Sequence, residues 1–140
     1  MAVQTGTLAH ELRETLGRLI RRLRAEPGQP PVAQAAVLSR LDREGPASTS
    51  DLAAAERMRP QSMAQTVHDL EASGYVSRRP DPDDGRRVLV ELTPEGLERL
   101  QSVRAQREGW LGETLEREFS AAERQQLRDA LALLRRIADA

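Results

Sequence analysis

The chain has 140 residues, of which 39% are apolar, 31% charged and only 2% aromatic, and its apolar share is mostly Leu and Ala. That length suits one ordinary domain with its own core, and the shortage of β-branched and aromatic residues weighs against an all-β fold. The 21 basic and 22 acidic residues leave a net charge of -1, which argues against a general polyanion binder, and the absence of cysteine excludes disulfides, thiolate metal sites and cysteine nucleophiles.

From Leu8 the apolar residues recur at Leu12, Leu16, Leu19, Ile20 and Leu23, one stripe of an amphipathic helix that Pro27, Gly28, Pro30 and Pro31 end. A second helix is predicted from about Pro31, with Val32, Ala35, Ala36, Leu38 and Leu41 inward, stopping at Gly45-Pro46. Ser48, Ser50 and Asp51 offer oxygens that can accept the free first-turn N–H groups of a short third helix. Pro60 suits the first turn of a fourth helix, in which Met63, Val67 and Leu70 repeat at helical spacing up to Gly74.

The period then changes from 3.6 to 2. Residues 75–78 and 88–92 read as strands, joined by a loop over 79–87 that holds two prolines and a glycine. Thr93-Pro94-Glu95 restarts a helix with an N-cap, a first-turn proline and an acid at the positive end of the dipole. Its apolar positions are Leu97, Leu100, Val103, Trp110, Leu111 and Leu115, and Gly109 and Gly112 mark a bend or a close helix contact. Ser120 and Glu123 form a capping box for a last helix carrying Leu127, Leu131, Leu134 and Ile137.

A short helix, a turn and a second helix with a polar face describe a helix-turn-helix, whose second helix enters the major groove with its first residues against base edges. The candidates for that reader face are Gln61, Ser62, Gln65 and Thr66, with His68 either solvent-exposed or near DNA; taken alone, the same residues also read as a polar solvated face of a helical hairpin. Gln pairs bidentately with an adenine edge, and Ser with several edges. The hairpin that follows is a wing whose tip carries Arg86 and Arg87 beside Gly85, suited to a narrow minor groove, while Arg59, Arg78 and Arg79 can reach phosphates. Residues 57–87 carry a net charge of +1, residues 1–26 carry +2, and residues 27–56 carry -2. Asp84 holds the loop either by accepting from backbone N–H groups or by pairing with Arg86.

The segment Asp84-Gly85-Arg86, then five residues, then Leu92-Thr93 matches the DxRxxxxxLT wing motif of the MarR family of winged-helix transcriptional regulators. Asp51-Leu52-Ala53, Leu70-Glu71-Ala72-Ser73-Gly74-Tyr75-Val76 and Arg78-Arg79-Pro80-Asp81-Pro82-Asp83 resemble the run that leads into that motif. The resemblance covers 51–96 by motif and nearly the whole chain by helix order. It implies a mainly α (α+β) fold, a winged helix-turn-helix over 31–93 with residues 1–30 and 94–140 forming a dimerisation lobe. It further implies a homodimeric repressor on a pseudo-palindromic operator in double-stranded DNA. Release by a small-molecule effector, an aromatic or amphipathic anion held between the lobes, is also implied. Arg86 maps to the wing-tip arginine, Asp84 to its supporting acid, and Gln61, Ser62 and Gln65 to the reader face. The chain departs from the family at Arg57-Met58, where glycine is common, and its lack of Cys excludes the thiol-oxidation sensors.

The residues themselves also ask for a dimer, since leucine-striped terminal helices flanking a compact middle need a partner surface; packing within a monomer is the alternative. The run Asp81-Pro82-Asp83-Asp84-Gly85 is misregistered for a calcium loop and has Leu92 where the closing Glu belongs. His10 and His68 have no sequence relation that suggests a shared metal, and Trp110 reads as core or interface ahead of pocket lining. No glycine-rich phosphate loop or Ser/His/Asp set is present, so no catalytic residue, metal or cofactor is expected. No apolar run approaches the roughly 18 residues that span a bilayer and no leader pattern opens the chain, so a cytoplasmic protein without membrane contact is expected. The competing reading is a helical protein-interaction module whose winged helix binds no operator.

Overall fold

Nine elements follow one another: α1 (Thr5–Arg24), α2 (Val32–Glu44), β1 (Ala47–Ser48), α3 (Thr49–Ala55), α4 (Pro60–Ala72), β2 (Val76–Pro80), β3 (Val88–Leu92), α5 (Pro94–Glu118) and α6 (Ala121–Ala138). They are taken from a computed structural model that describes residues 1–140. By its packing the chain divides into two units, Met1–Arg104 and Ala105–Ala140.

The first unit holds the core. Val37, Leu38 and Leu41 from α2, Leu52 and Ala53 from α3, and Met63, Val67 and Leu70 from α4 meet Val76, Val90 and Leu100. Each large apolar side chain fully buried there contributes about 1.5–3 kcal/mol of transfer free energy. The inward stripe of α2 differs from the expected one: Val37 is fully buried, whereas Val32 is 52% exposed. At 100° per residue Val32 lies roughly opposite Leu41 around the helix, so both cannot face the core. Arg40 ties α2 to the end of α3 through Glu56 at 2.7 Å, and pairs within α2 with Glu44 one turn on at 3.0 Å. These hydrogen bonds, to Glu56 above all, raise its pKa above the ordinary arginine value.

The sheet has the order β1-β3-β2, antiparallel throughout, with Ala47 opposite Val90 and Ser48 opposite Leu89 in one pairing and Val76 opposite Leu92 through Pro80 opposite Val88 in the other. Two residues carry no periodicity, which is why β1 has no sequence signature. β2 runs on to Pro80, inside the expected loop; as an edge strand it tolerates a residue that donates no N–H.

Thr93 joins three elements at the foot of the hairpin. Its N–H donates to Tyr75 O at 3.1 Å, its hydroxyl donates to Gly74 O at 2.6 Å and accepts from Gly96 N at 3.0 Å. Further along, α5 runs through Gly109 and Gly112 without a break, and nothing lies within 4 Å of where either Cβ would stand, so the expected close contact is not made within the chain. Neither α1 nor α6 has a buried residue, although both carry apolar stripes. No helix is long and apolar enough to cross a membrane.

In the second unit the capping box at the start of α6 forms as expected: Ser120 Oγ accepts from Glu123 N at 3.1 Å, and Ser120 N donates to Glu123 Oε1 at 3.0 Å. Leu115, Leu127 and Leu131 line an open groove of about 390 Å³ with Ala121, Arg124, Gln125 and Arg128. The bond from the Ser120 backbone holds the Glu123 carboxyl below its ordinary pKa. A depressed carboxyl pKa adds stability that is present above the unfolded-state value and lost as pH falls through the folded one. Helicity followed by circular dichroism is therefore expected to drop at acidic pH, and Glu123→Gln is expected to flatten that response. Ser120→Ala is expected to cost about 1 kcal/mol in chemical unfolding at neutral pH.

Candidate nucleic-acid interface

α3 and α4 are joined by a turn whose backbone is set by local hydrogen bonds. Met58 N donates to Ala53 O at 2.9 Å and Arg57 N to Ala54 O at 3.3 Å, the paired bonds of a Schellman ending. Arg57 occupies its left-handed position with φ 53°, where α4's own ending places Gly74 with φ 80°. Tyr75 N and Gly74 N complete that second ending on Leu70 O and Glu71 O, each at 3.0 Å. The same turn is thus built with and without glycine. A side chain in the left-handed region costs roughly 1–2 kcal/mol, partly offset in glycine by its greater unfolded-state entropy. Arg57→Gly is accordingly expected to raise stability by about 0.5–1 kcal/mol, read as a higher denaturation midpoint with an unchanged slope.

Pro60 is the first residue of α4, as expected, and Gln61, Ser62 and Gln65 are exposed on the face away from the core. His68 is exposed as well. Thr66 is a correction: it is 9% exposed, and its hydroxyl donates to Ser62 O one turn back at 3.0 Å. It lies three residues after Met63 and beside Val67, so its methyl faces the core while its hydroxyl is satisfied within the helix. Gln65 Nε2 donates to Asp69 Oδ1 at 2.8 Å, one turn further along the helix.

On the wing, Asp84 adopts the first of its two expected roles, accepting from Arg86 N at 3.1 Å. Asp81 does the same for Asp83 N at 2.9 Å, and its own N–H donates to Arg87 O at 2.9 Å. These turns order the tip and leave the exposed Arg86 side chain without an ion pair. The other arginines of the site differ. Arg59 is exposed at the N-cap of α4; Arg78 lies 3.3 Å from Glu71; Arg79 bonds Glu91 at 2.9 Å across the hairpin. Arg87 is paired with Asp51 and bonds Ser48 Oγ at 3.2 Å. The wing-tip pair expected to act alike therefore separates into a free cation and a tied one. In sequence Ser48 and Asp51 read as helix caps and not as partners of the wing, because that second contact, across 36 to 39 residues of sequence, arises from folding.

A short helix, a tight turn and a second helix with an exposed polar face, followed by an ordered hairpin with a free arginine at its tip, define a winged helix-turn-helix protein. Comparisons with known proteins agree. The sequence pattern of the MarR family matches residues 31–88. An uncharacterised HTH-type transcriptional regulator of Mycobacterium leprae is 37% identical over 134 residues, covering 94% of this chain and 93% of its own. A crystal structure from Pseudomonas aeruginosa, described as a transcriptional regulator protein, superposes with a TM-score of 0.86 at 39% identity over 99% of this chain and 98% of that one. BpsR of Bordetella bronchiseptica, described through the regulation of its DNA binding by 6-hydroxynicotinic acid, gives 0.64 at 27% identity over 98% and 94%. The chain belongs to the MarR family of transcriptional regulators.

Proposed function

We propose that this regulator works as a cytoplasmic homodimer that represses transcription from a pseudo-palindromic operator and leaves it when a small aromatic or amphipathic anion binds. The carrying observation is that α1 and α6 have no buried residue while exposing Leu16, Leu19, Ile20, Leu127, Leu131 and Ile137. Helices with such stripes are stable when a partner covers them, and two-fold pairing is the commonest way to do so. In this reading residues 1–30 and 94–140 form the dimerisation lobe and residues 31–93 the DNA-binding lobe.

Pairing sets the second requirement, since two reader helices meet successive major grooves when they lie roughly 34 Å apart. Gln61, Ser62 and Gln65 then face base edges, Arg86 enters the minor groove, and Arg59 and Arg78 meet phosphates. An effector that alters the spacing needs a coupling of only about 1–3 kcal/mol to weaken binding 5- to 150-fold. The aromatic acid that regulates BpsR supports this effector class.

Selection of bound fragments from the protein's own genomic DNA tests the proposal, followed by titration of the recovered site with and without 6-hydroxynicotinate and related aromatic carboxylates. Enriched fragments should share an inverted repeat. Failure to enrich any sequence would favour the protein-interaction alternative, and affinity unchanged by every compound that binds would leave a constitutive DNA binder.

A further inference from the structure

Arg86 and Arg87 are adjacent in sequence and opposite in circumstance. Arg86 projects from the loop tip with no side-chain partner, while Arg87 reaches three groups: the Asp51 carboxylate, Ser48 Oγ at 3.2 Å and, more distantly, Asp81 Oδ2 at 3.9 Å from its Nε. Ser48 is the N-cap of α3 and Asp51 lies in that helix's first turn, so one guanidinium connects the wing to the helix-turn-helix.

The sheet shows why such a connection matters. Ser48 opposite Leu89 is the outermost pair between β1 and β3, and beyond it the hairpin has only β2 beside it. A two-stranded ribbon in water is marginally stable and free to twist. Arg87 stands just past the last ladder pair, and its contacts begin where the ladder stops. Asp51 lines the same hollow as Arg86, and a carboxylate there with no cation beside it would repel a duplex that Arg86 approaches.

We infer that Arg87 is a positioning residue which, through Asp51 and Ser48, fixes the wing against the start of α3 and so determines where Arg86 meets DNA. This rests on the DNA-binding reading above and adds the division of labour between the two arginines. Ordinary electrostatics and this inference predict opposite signs for one substitution. Neutralising Asp51 removes a negative charge and should tighten binding if charge alone counts; it should weaken binding if the carboxylate holds the wing.

The test uses the full chain and a labelled duplex carrying the site recovered by fragment selection, with circular dichroism and melting establishing that each variant is folded. Asp51→Asn is expected to bind about fivefold more weakly than the wild type, a loss typical of coupled neighbouring residues. Arg87→Lys, which keeps the charge and loses the guanidinium fork, is expected to weaken binding to a similar degree. Arg86→Ala should cost about tenfold and lower the salt slope by about one in the wild type. In the Asp51→Asn background it should cost about twofold, because a misplaced Arg86 has less to lose. A purely structural role of Asp51 would leave the Arg86 factor unchanged. Equal or tighter binding by Asp51→Asn overturns the inference, as does the same Arg86 factor in both backgrounds. A wild-type chain that retains no duplex overturns the DNA-binding reading itself, which is a different result.

Discussion

Replacing Gly96 by alanine is expected to destabilise the protein by about 2–3 kcal/mol, even though alanine is the better helix former. A Cβ at this position would stand 2.0 Å from Tyr75 O, 2.9 Å from Tyr75 C and 3.0 Å from Leu92 Cδ1. Two of those atoms are backbone, so no side-chain rotation relieves the overlap; the first turn of α5 must move away from the foot of the hairpin. That movement stretches the bond from Thr93 N to Tyr75 O and the Thr93 hydroxyl's bond to Gly74 O, the contacts that join the end of α4 to the start of α5. Propensity alone would predict a gain of roughly 1 kcal/mol, so the sign of the change distinguishes the two effects. A thermal midpoint lower by roughly 5–10 °C is the expected reading, and an unchanged or higher midpoint would mean that the backbone approach is looser than described. Because the residue sits where the reader helix, the wing and α5 converge, operator binding by the folded fraction should fall too.

The second large effect is expected from Leu131→Glu. In the single chain this leucine is 46% exposed, beside Leu127 and Leu115 in the groove of the second unit, so the substitution should change the folding of a monomer by no more than about 0.5 kcal/mol. Placed inside a dimer interface the same carboxylate would be buried without a partner, at a cost of about 3–5 kcal/mol, which weakens association by two orders of magnitude or more. Light scattering should then report half the mass of the wild type at the same concentration. Operator affinity should fall about a hundredfold or more, since each half-site must be bound independently. Wild-type mass in the variant would remove α6 from the interface. Wild-type mass equal to one chain would remove the dimer altogether.

Most of the elements were legible in sequence because each carries a local signal. Pro60 and Gly74 bracket α4, the change from a period of 3.6 to one of 2 marks the hairpin, and Ser120 with Glu123 announces α6. The exceptions share a cause. β1 is two residues long and exists only through its pairing with β3, and the inward face of α2 depends on which neighbours surround it. At the candidate interface, Gln61, Ser62, Gln65 and Arg86 are exposed as the spacing predicts. Thr66 and Arg87 are not free in the way the sequence suggested, because a threonine can satisfy its own hydroxyl within the helix and an arginine can be tied by an acid far away in the chain.

The sequence by itself determined the helix order, the caps and the wing motif, all of which depend on residues within a few positions of one another, where backbone geometry and side-chain period leave few alternatives. Only the tertiary structure decided which arginine is free and which is held. The same is true of the glycine at 96, whose nearest neighbour, the Tyr75 carbonyl, lies in the junction between α4 and β2. Such contacts join residues tens of positions apart, and their distances follow from how the core closes, a quantity that no local pattern encodes.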